Sequence, residues 1–523
     1  MPRLLASAVL INLLLLVPLW LRFGEPGSRL IALEAVILAL LPALLPGSAR
    51  LAWLRWSIVV AVMLVLVIGL GDAATHLAFG RSLNLYLDIP LVRSVFHLLE
   101  GNLGAVIAVL VTLVGALLLV AIAWLLAYLL KSTQGILRAR PAMVIGAGLL
   151  MASGLLVAAE LKHSRLLPQA RTPLLDTLHF QAERLLETRR AHREFAERLV
   201  ASPSPARSLP GLVGRDVVLL FVESYGVSAV VDDRYADVVV PRLQEMGERL
   251  QAAGLSMASG TLEAPIRGGQ SWLAHASTLS GLWIDNQLWY QLMLASERDT
   301  LVDDFRATGH RTLAVMPAIT LAWPEGEAYD FDEIHAASDI DYAGPPLNWV
   351  TMPDQFTLHH FEQRIRQPTE VPLFAQIALI SSHAPWTPII PVLDDWDEVG
   401  DGSVYSRWED AGDPPDELWQ DLERIRDHYA LSVDYALHAS LRWAEDFVDE
   451  DTLLILMGDH QAAPLITGDD ASGAVPVHVI SGDPRLLAPF LDRGFVDGML
   501  PPDTGKSPGM DQFRRWLHED FGS

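Results

Sequence analysis

Four short stretches carry side chains that could do chemistry together. Residues 216–226 read DVVLLFVESYG, in which six apolar residues, Val217 to Val222, run straight into Glu223. FAQIALISSHAPW brings an apolar run to His383, and TLLILMGDHQ brings another to Asp459 and His460. The fourth, RGGQSWLAHASTLSG at 267–281, places two glycines before Gln270 and Ser271 and then turns helical in pattern. Two carboxylates and one imidazole, from Glu223, Asp459 and His460, suit a divalent cation such as Mn²⁺ or Zn²⁺. Ser271 falls at or near a helix N-terminus, where free N–H groups and the helix dipole favour an anion. A metal beside it would lower the hydroxyl pKa and offset charge on a phosphoryl oxygen. His383 is placed to bind the transferring group or to protonate a leaving oxygen.

Such residues act together only if one scaffold presents them on one side. After residue 212, short apolar runs alternate with helical patterns. Strands are expected at 216–222, 311–316, 373–381, 452–457 and 475–480. Helices are expected at 241–253, 271–280, 299–308, 354–367, 416–448 and 510–520. That alternation predicts an α/β domain with a mostly parallel central sheet. In open sheets of this kind ligands bind beyond the carboxyl ends of the strands. The β-branched run VPVHVIS reads as an antiparallel edge strand, and His478 within it as a further ligand, a substrate contact or a structural histidine. The acidic stretch 394–423 does not match the spacing of an EF-hand loop and reads as a solvated surface loop.

Ahead of this domain the chain is apolar. Five stretches, roughly 4–21, 30–47, 52–71, 104–130 and 142–159, approach the ~20 residues needed to cross a bilayer. Residues 1–160 therefore read as a membrane domain of five spans, residues 161–211 as a juxtamembrane helix and linker, and 212–523 as the catalytic domain. Glu34 falls near the end of a span and is assigned to the interface, and the mixed loop 72–103 reads as an interfacial segment or an ordinary connecting loop. The helix expected over 173–200 would lie on the bilayer or on the soluble domain. Arg3, Arg50, Arg55, Lys131, Arg138 and Arg140 fall in segments on the N-terminal side of the spans, which favours N-terminus inside and the domain after 160 outside. Charge is split to match. Residues 1–160 hold 10 basic and 6 acidic residues, the remainder 28 and 57. So acidic a domain is a poor partner for nucleic acid. With no cysteine among 523 residues, disulfides, thiolate metal sites and cysteine nucleophiles are excluded.

Five spans followed by ESYG, GGQSW, SSHAPW and GDHQ, in that order, resemble the lipoteichoic acid synthase group and its relatives, the phosphoethanolamine transferases. Both are membrane members of the alkaline phosphatase/sulfatase superfamily, and the resemblance covers nearly the whole chain. It implies a sulfatase-like fold and one catalytic metal held by Glu223, Ser271, Asp459 and His460, with His383 contacting substrate. TMPDQFTL at 351–358 is a further marker, its Asp354 sufficiently explained as a helix N-cap. Two departures stand out. The nucleophile is usually Thr and here is Ser271, which leaves the chemistry intact. In LAWPEGEAYDF, Trp323 matches a substrate-reading Trp, but Glu325 stands near the place of an Arg. Arg267 either helps bind an anion or is a loop charge. True sulfatases need a Pro and an Arg after the nucleophile, and Ser271 is followed by WLAH.

The resemblance implies a bacterial multi-pass cytoplasmic-membrane enzyme with an extracytoplasmic, periplasm-facing site. It would move phosphoglycerol or phosphoethanolamine from a phospholipid to a glycan or lipid acceptor through a covalent Ser271 intermediate. Two alternatives stay open: a phosphodiesterase or phosphatase of the same superfamily, and a non-catalytic lipid-binding regulator on this fold.

Overall fold

The computed structural model describes all residues except 1, 25–28, 46–51, 90–91, 93–94, 97–98, 101–103, 138, 161, 163–166, 168, 202–203, 503–504 and 523, and the side chains of 198, 200 and 201. The expected loop 72–103 and the linker 202–211 fall partly outside the described residues. The chain divides into two compact units, Met1–Ala191 and His192–Ser523.

The first unit is built from five apolar helices: α1 (Pro2–Phe23), α2 (Leu33–Leu44), α3 (Ala52–Phe79), α4 (Ala105–Thr133) and α5 (Arg140–Glu160). All but α2 are long and apolar enough to cross a membrane. With 12 residues, α2 covers about 18 Å, short of a hydrocarbon core of about 30 Å. The expected full-length second span is therefore corrected to a half-length helix. The chain nevertheless returns through the bundle. Arg22 pairs with Asp72 and Pro18 lies against Gly69, so α1 and α3 run in the same direction. The segment between them must come back, and it does so first as extended chain. Ile31 and Ala32 pair in parallel with Ala170 and Arg171, and the Leu30 and Ile31 amides donate to the Gln169 carbonyl. Non-helical backbone within a membrane bundle is tolerable where protein satisfies it in this way.

Helix α6 (Pro173–Ala201) follows. Its first turns are not laid flat on a surface but are packed into the bundle, with Leu174 in the same apolar cluster as Ile11, Leu15 and Val62. Glu34 explains this placement. It is buried, and its carboxylate accepts from the Leu175 amide at the start of α6, 3.2 Å away. An acid at a helix N-terminus is favourable and answers an otherwise orphaned N–H.

The second unit is an eight-stranded sheet with helices on both faces. Its strands are β1 (Asp216–Val222), β2 (Ser256–Glu263), β3 (Arg311–Met316), β4 (Glu333–Ala336), β5 (Leu373–Ala378), β6 (Thr452–Gly458), β7 (Ala474–Ser481) and β8 (Val496–Asp497). The order across the sheet is β8-β2-β7-β6-β1-β5-β3-β4. From β6 to β4 every pairing is parallel, and β7, β2 and β8 add three antiparallel ones. β1 is apolar on both sides because it is central and covered on both faces. Val218, Leu220 and Val222 enter one core, while Val217, Leu219 and Phe221 enter the other.

One core lies under α7 (Asp233–Ala252), α11 (Asp354–His360) and α12 (Leu422–Phe447). The other lies under α8 (Ser271–Ser280), α9 (Gln287–Leu294), α10 (Leu301–Thr308) and α13 (Phe513–Phe521). Helix α7 starts eight residues before the expected boundary, because Asp232 caps it and Pro241 sits inside it. β7 is antiparallel as expected but is not an edge: β2 covers it. That strand, SMASGTLE, has weak strand character by composition. Its Gly260 is required by packing, since a Cβ there would stand 2.4 Å from the Phe495 ring. Nor is 394–423 simply solvated, for Val399, Tyr405 and Leu418 from it reach the core.

Candidate metal and nucleophile site

Register assembles the site. In the parallel ladder Val222 pairs with Gly458, so the next residues, Glu223 and Asp459, leave the sheet side by side. His460 follows directly. The ligating atoms of Glu223, Asp459 and His460 lie within 4.8 Å of one another. His460 Nε2 is 3.3 Å from Glu223 Oε1 and 3.9 Å from Asp459 Oδ2. All three residues are almost fully removed from solvent.

The surrounding bonds fix each ligand. Asp459 Oδ1 accepts from the amides of Ser224 and His460, at 2.8 and 2.6 Å, which leaves Oδ2 directed to the cluster. Ser224 Oγ donates to Glu223 Oε1 at 2.8 Å, and Ser382 Oγ donates to the Glu223 carbonyl at 2.6 Å. Tyr429 of α12 holds the Ser224 carbonyl from beneath, at 2.9 Å. His460 Nδ1 donates to the Gln461 carbonyl, 3.0 Å away. That bond sets the ring so that Nε2 faces the carboxylates, where it is buried without a hydrogen bond. An outer bond of this kind commonly orients a metal-bound histidine.

Electrostatics describe a cluster that calls for positive charge. Burial opposes ionisation of Glu223, but His460 beside it, with His383 nearby, outweighs burial and holds its carboxyl below the usual range. Burial and the Glu223 charge push Asp459 well up. Burial opposes a charged His460, yet Asp459 and Glu223 raise it to about 9. Two buried carboxylates thus draw a proton onto the imidazole between them, and a divalent cation meets the same demand with more charge. The orphaned Nε2, the short spacing and the mixed O/N donor set fit Mn²⁺ or Zn²⁺. Three protein ligands leave room for a reacting group, the pattern of catalytic rather than structural sites.

Ser271 is the first residue of α8 and is half-buried. Its turn is bound to the metal-ligand loop: the Gly268 amide donates to the Gln461 carbonyl at 2.8 Å, immediately after His460. The turn needs left-handed backbone at Gly268, Gly269 and Gln270, which glycine supplies at no steric cost in the first two. His383 stacks on Trp349, with ring centroids 6.1 Å apart, and its Nδ1 donates to the Ala384 carbonyl at 2.6 Å.

The remaining candidates stand apart from this cluster. Both ring nitrogens of His478 are taken within the fully buried sheet, by Tyr225 Oη at 3.0 Å and Ser259 Oγ at 2.8 Å. Arg267 ties down the 467–469 loop through the Gly468 and Asp469 carbonyls, at 2.8 and 3.1 Å. Trp323 packs its ring over Gly326.

Two residues near the site were missed. Asp354 does not cap its own helix, whose N-cap is Pro353. Its Oδ1 accepts from the Ile380 and Ser381 amides, at 2.8 and 2.9 Å, and so shapes the loop that carries His383. Burial pushes Asp354 up to about 6. His275 lies one turn beyond Ser271, its ring centroid 4.1 Å from that of Phe221, with Nε2 buried and unpartnered. Its i, i+4 spacing from Ser271 was the available signal.

No family model and no curated protein matches the chain. Among solved structures it is similar to the C-terminal periplasmic domain of EcEptC from Escherichia coli, at 14% identity over 61% of this chain and 86% of that one, with TM-score 0.39. It is similar to the phosphoglycerol transferase GacH of Streptococcus pyogenes, solved with sn-glycerol-1-phosphate, at 13% identity over 64% and 80%, with TM-score 0.38. The lipoteichoic acid synthase LtaP of Listeria monocytogenes gives 13% over 58% and 77%, with TM-score 0.35. At such distances the function must be argued from the residues themselves.

Proposed function

We propose that the chain is a metal-dependent transferase that moves a phospho-head-group, phosphoglycerol or phosphoethanolamine, from a membrane phospholipid to a glycan or lipid acceptor hydroxyl. The observation that carries this reading is the buried Glu223–Asp459–His460 cluster, tied through Gln461 to the turn that presents Ser271 at the start of α8. A divalent cation held there would offset charge on the phosphoryl group and favour loss of the Ser271 proton.

Ser271 Oγ forms a bond to phosphorus as the bond from phosphorus to the diacylglycerol oxygen breaks. That oxygen leaves with a proton, for which His383 is assigned as donor, its ring held by the bond from Nδ1 to the Ala384 carbonyl. The acceptor hydroxyl then attacks the phospho-Ser271 and passes its proton to His383, which gave one up in the first step, as the bond from phosphorus to Oγ breaks. Free amides at the start of α8 stabilise the phosphoryl oxygens throughout. The catalytic unit faces away from the cytoplasm in this reading, since six of the ten basic residues before residue 160 fall on the inward side when the chain passes the bilayer five times, α2 and the extended segment before it making the second pass.

Intact mass of the purified full-length protein, incubated with Mn²⁺ or Zn²⁺ and vesicles of phosphatidylglycerol and phosphatidylethanolamine, tests the reaction. A head-group adduct absent from Ser271→Ala is expected and names the donor. Ser271-dependent diacylglycerol release without transfer to any acceptor would indicate a hydrolase instead. No metal binding to the wild type, or equal binding by Asp459→Asn, would overturn the proposal. Because the chain lacks cysteine, single cysteines introduced after residue 212 report the side of the membrane by labelling with an impermeant maleimide.

A further inference from the structure

The membrane unit contains a cavity of about 330 Å³ between α1, α3 and the first turns of α6. Its lining changes character along the helices. Leu15, Val65 and Ile68 make the deeper wall. One to two turns further along α1 and α3 stand Arg22 and Asp72, and Ser82 and Asp176 complete the polar end. Because α1 and α3 run in parallel, both change from apolar to charged at the same depth. A cavity apolar at one end and charged at the other, at the end of two spans, has the polarity profile of a lipid at the head-group boundary.

The charges choose among lipids. Arg22 is paired with Asp72 and its Nη2 reaches Ser82 Oγ at 3.1 Å. Even so, its side chain lines the cavity and keeps 23% of its surface exposed. Asp176 stands exposed at the rim, with Oδ1 accepting from Thr172 Oγ1 at 2.9 Å. The lining therefore offers a guanidinium edge for a phosphate and, beside it, a carboxylate for a cation. Its formal charge, from Arg22, Asp72 and Asp176, is −1. A head group that is anionic overall meets that excess unfavourably, whereas one carrying both a phosphate and an ammonium meets a partner for each. The volume is at the lower end for ligand pockets. It suits a head group and the start of its chains, with the chains continuing along the bundle.

We infer that this cavity is a binding site for one zwitterionic glycerophospholipid of the phosphoethanolamine class, its phosphate on Arg22 and its ammonium on Asp176. The site lies wholly within the membrane unit, and the inference holds whether or not the bound lipid is consumed by the enzyme.

The test uses full-length protein purified in mild detergent and exposed to mixed micelles of phosphatidylethanolamine and phosphatidylglycerol, with retained lipid measured by native mass spectrometry. About one phosphatidylethanolamine per chain is expected, favoured over phosphatidylglycerol roughly two- to fivefold, the scale of one partly exposed ion pair. Ile68→Trp, which fills the apolar end, should abolish retention. Asp176→Asn, at the exposed rim and so harmless to folding, should keep lipid but bring the preference towards equality. Retention of detergent alone, equal retention of the two lipids by the wild type, or undiminished retention by folded Ile68→Trp would each overturn the assignment.

Discussion

One histidine buried in the sheet of the second unit should make a large contribution to its acid stability. His478 sits in β7 with no solvent exposure, bonded on both ring nitrogens. Burial lowers its pKa from 6.5 to about 3. Above pH ~6.5 the ring is neutral in both folded and unfolded chains, and it contributes no slope. Below that the unfolded chain takes a proton that the native sheet refuses, so stability falls by about 1.4 kcal/mol per pH unit until pH ~3. Over the full interval the loss is about 5 kcal/mol, comparable with the whole stability of many domains. His478→Leu removes the titration but strands the Tyr225 hydroxyl, at a cost of roughly 1–3 kcal/mol at neutral pH. Urea unfolding of wild type and variant at several pH values between 4 and 7 separates the two effects. The variant should start lower at pH 7 and cross above the wild type near pH 5. Parallel stability curves for the two proteins would refute the argument, because they would mean that His478 accepts a proton in the folded state.

Three further outcomes are expected. Arg514→Leu leaves Asp304, which has no solvent exposure and is bonded by Arg514 at 2.7 and 2.9 Å, without its main counter-charge. It should cost about 3–5 kcal/mol in the same unfolding assay. Gly226→Ala places a methyl 1.6 Å from Gln461 Oε1 and 2.8 Å from its Cα. It should cost about 1–3 kcal/mol of stability and weaken Mn²⁺ binding by calorimetry, because Gln461 follows His460 directly. Thr300→Ala removes the capping box at the start of α10 and should cost about 1 kcal/mol with metal binding unchanged.

Much of the site was legible because it obeys a local rule. An apolar run that stops at an acid or imidazole marks the carboxyl end of a buried parallel strand, and β1 and β6 follow it, while β5 ends at Ala378, five residues before His383. The α8 turn was legible too, since adjacent glycines before a helical pattern have few other uses. What escaped was long-range. β2 has the residues of a loop and becomes a strand only because β7 and β8 hold it on both sides. Asp354 looks like a helix cap, and only the fold shows that it serves a loop some 26 residues away. The half-length α2 escaped because its composition is that of a span. What interrupts it is a pairing with residues near 170 and a buried Glu34, neither of which leaves a mark in hydropathy.

The distance along the chain between the candidate metal ligands has a consequence for how the protein is made. Ser224 and Asp459, bonded neighbours at the cluster, are 235 residues apart in sequence. A zinc finger gathers its ligands from one short segment, so the ion can direct folding as soon as that segment exists. Here no ion can be held until β6 has emerged and zipped against β1, with most of the domain already synthesised between them. Loading of the proposed ion would therefore be a late event in biosynthesis, one that follows the sheet rather than nucleating it. A chain truncated before β6 would reach the membrane with its spans intact and no means of acquiring the ion.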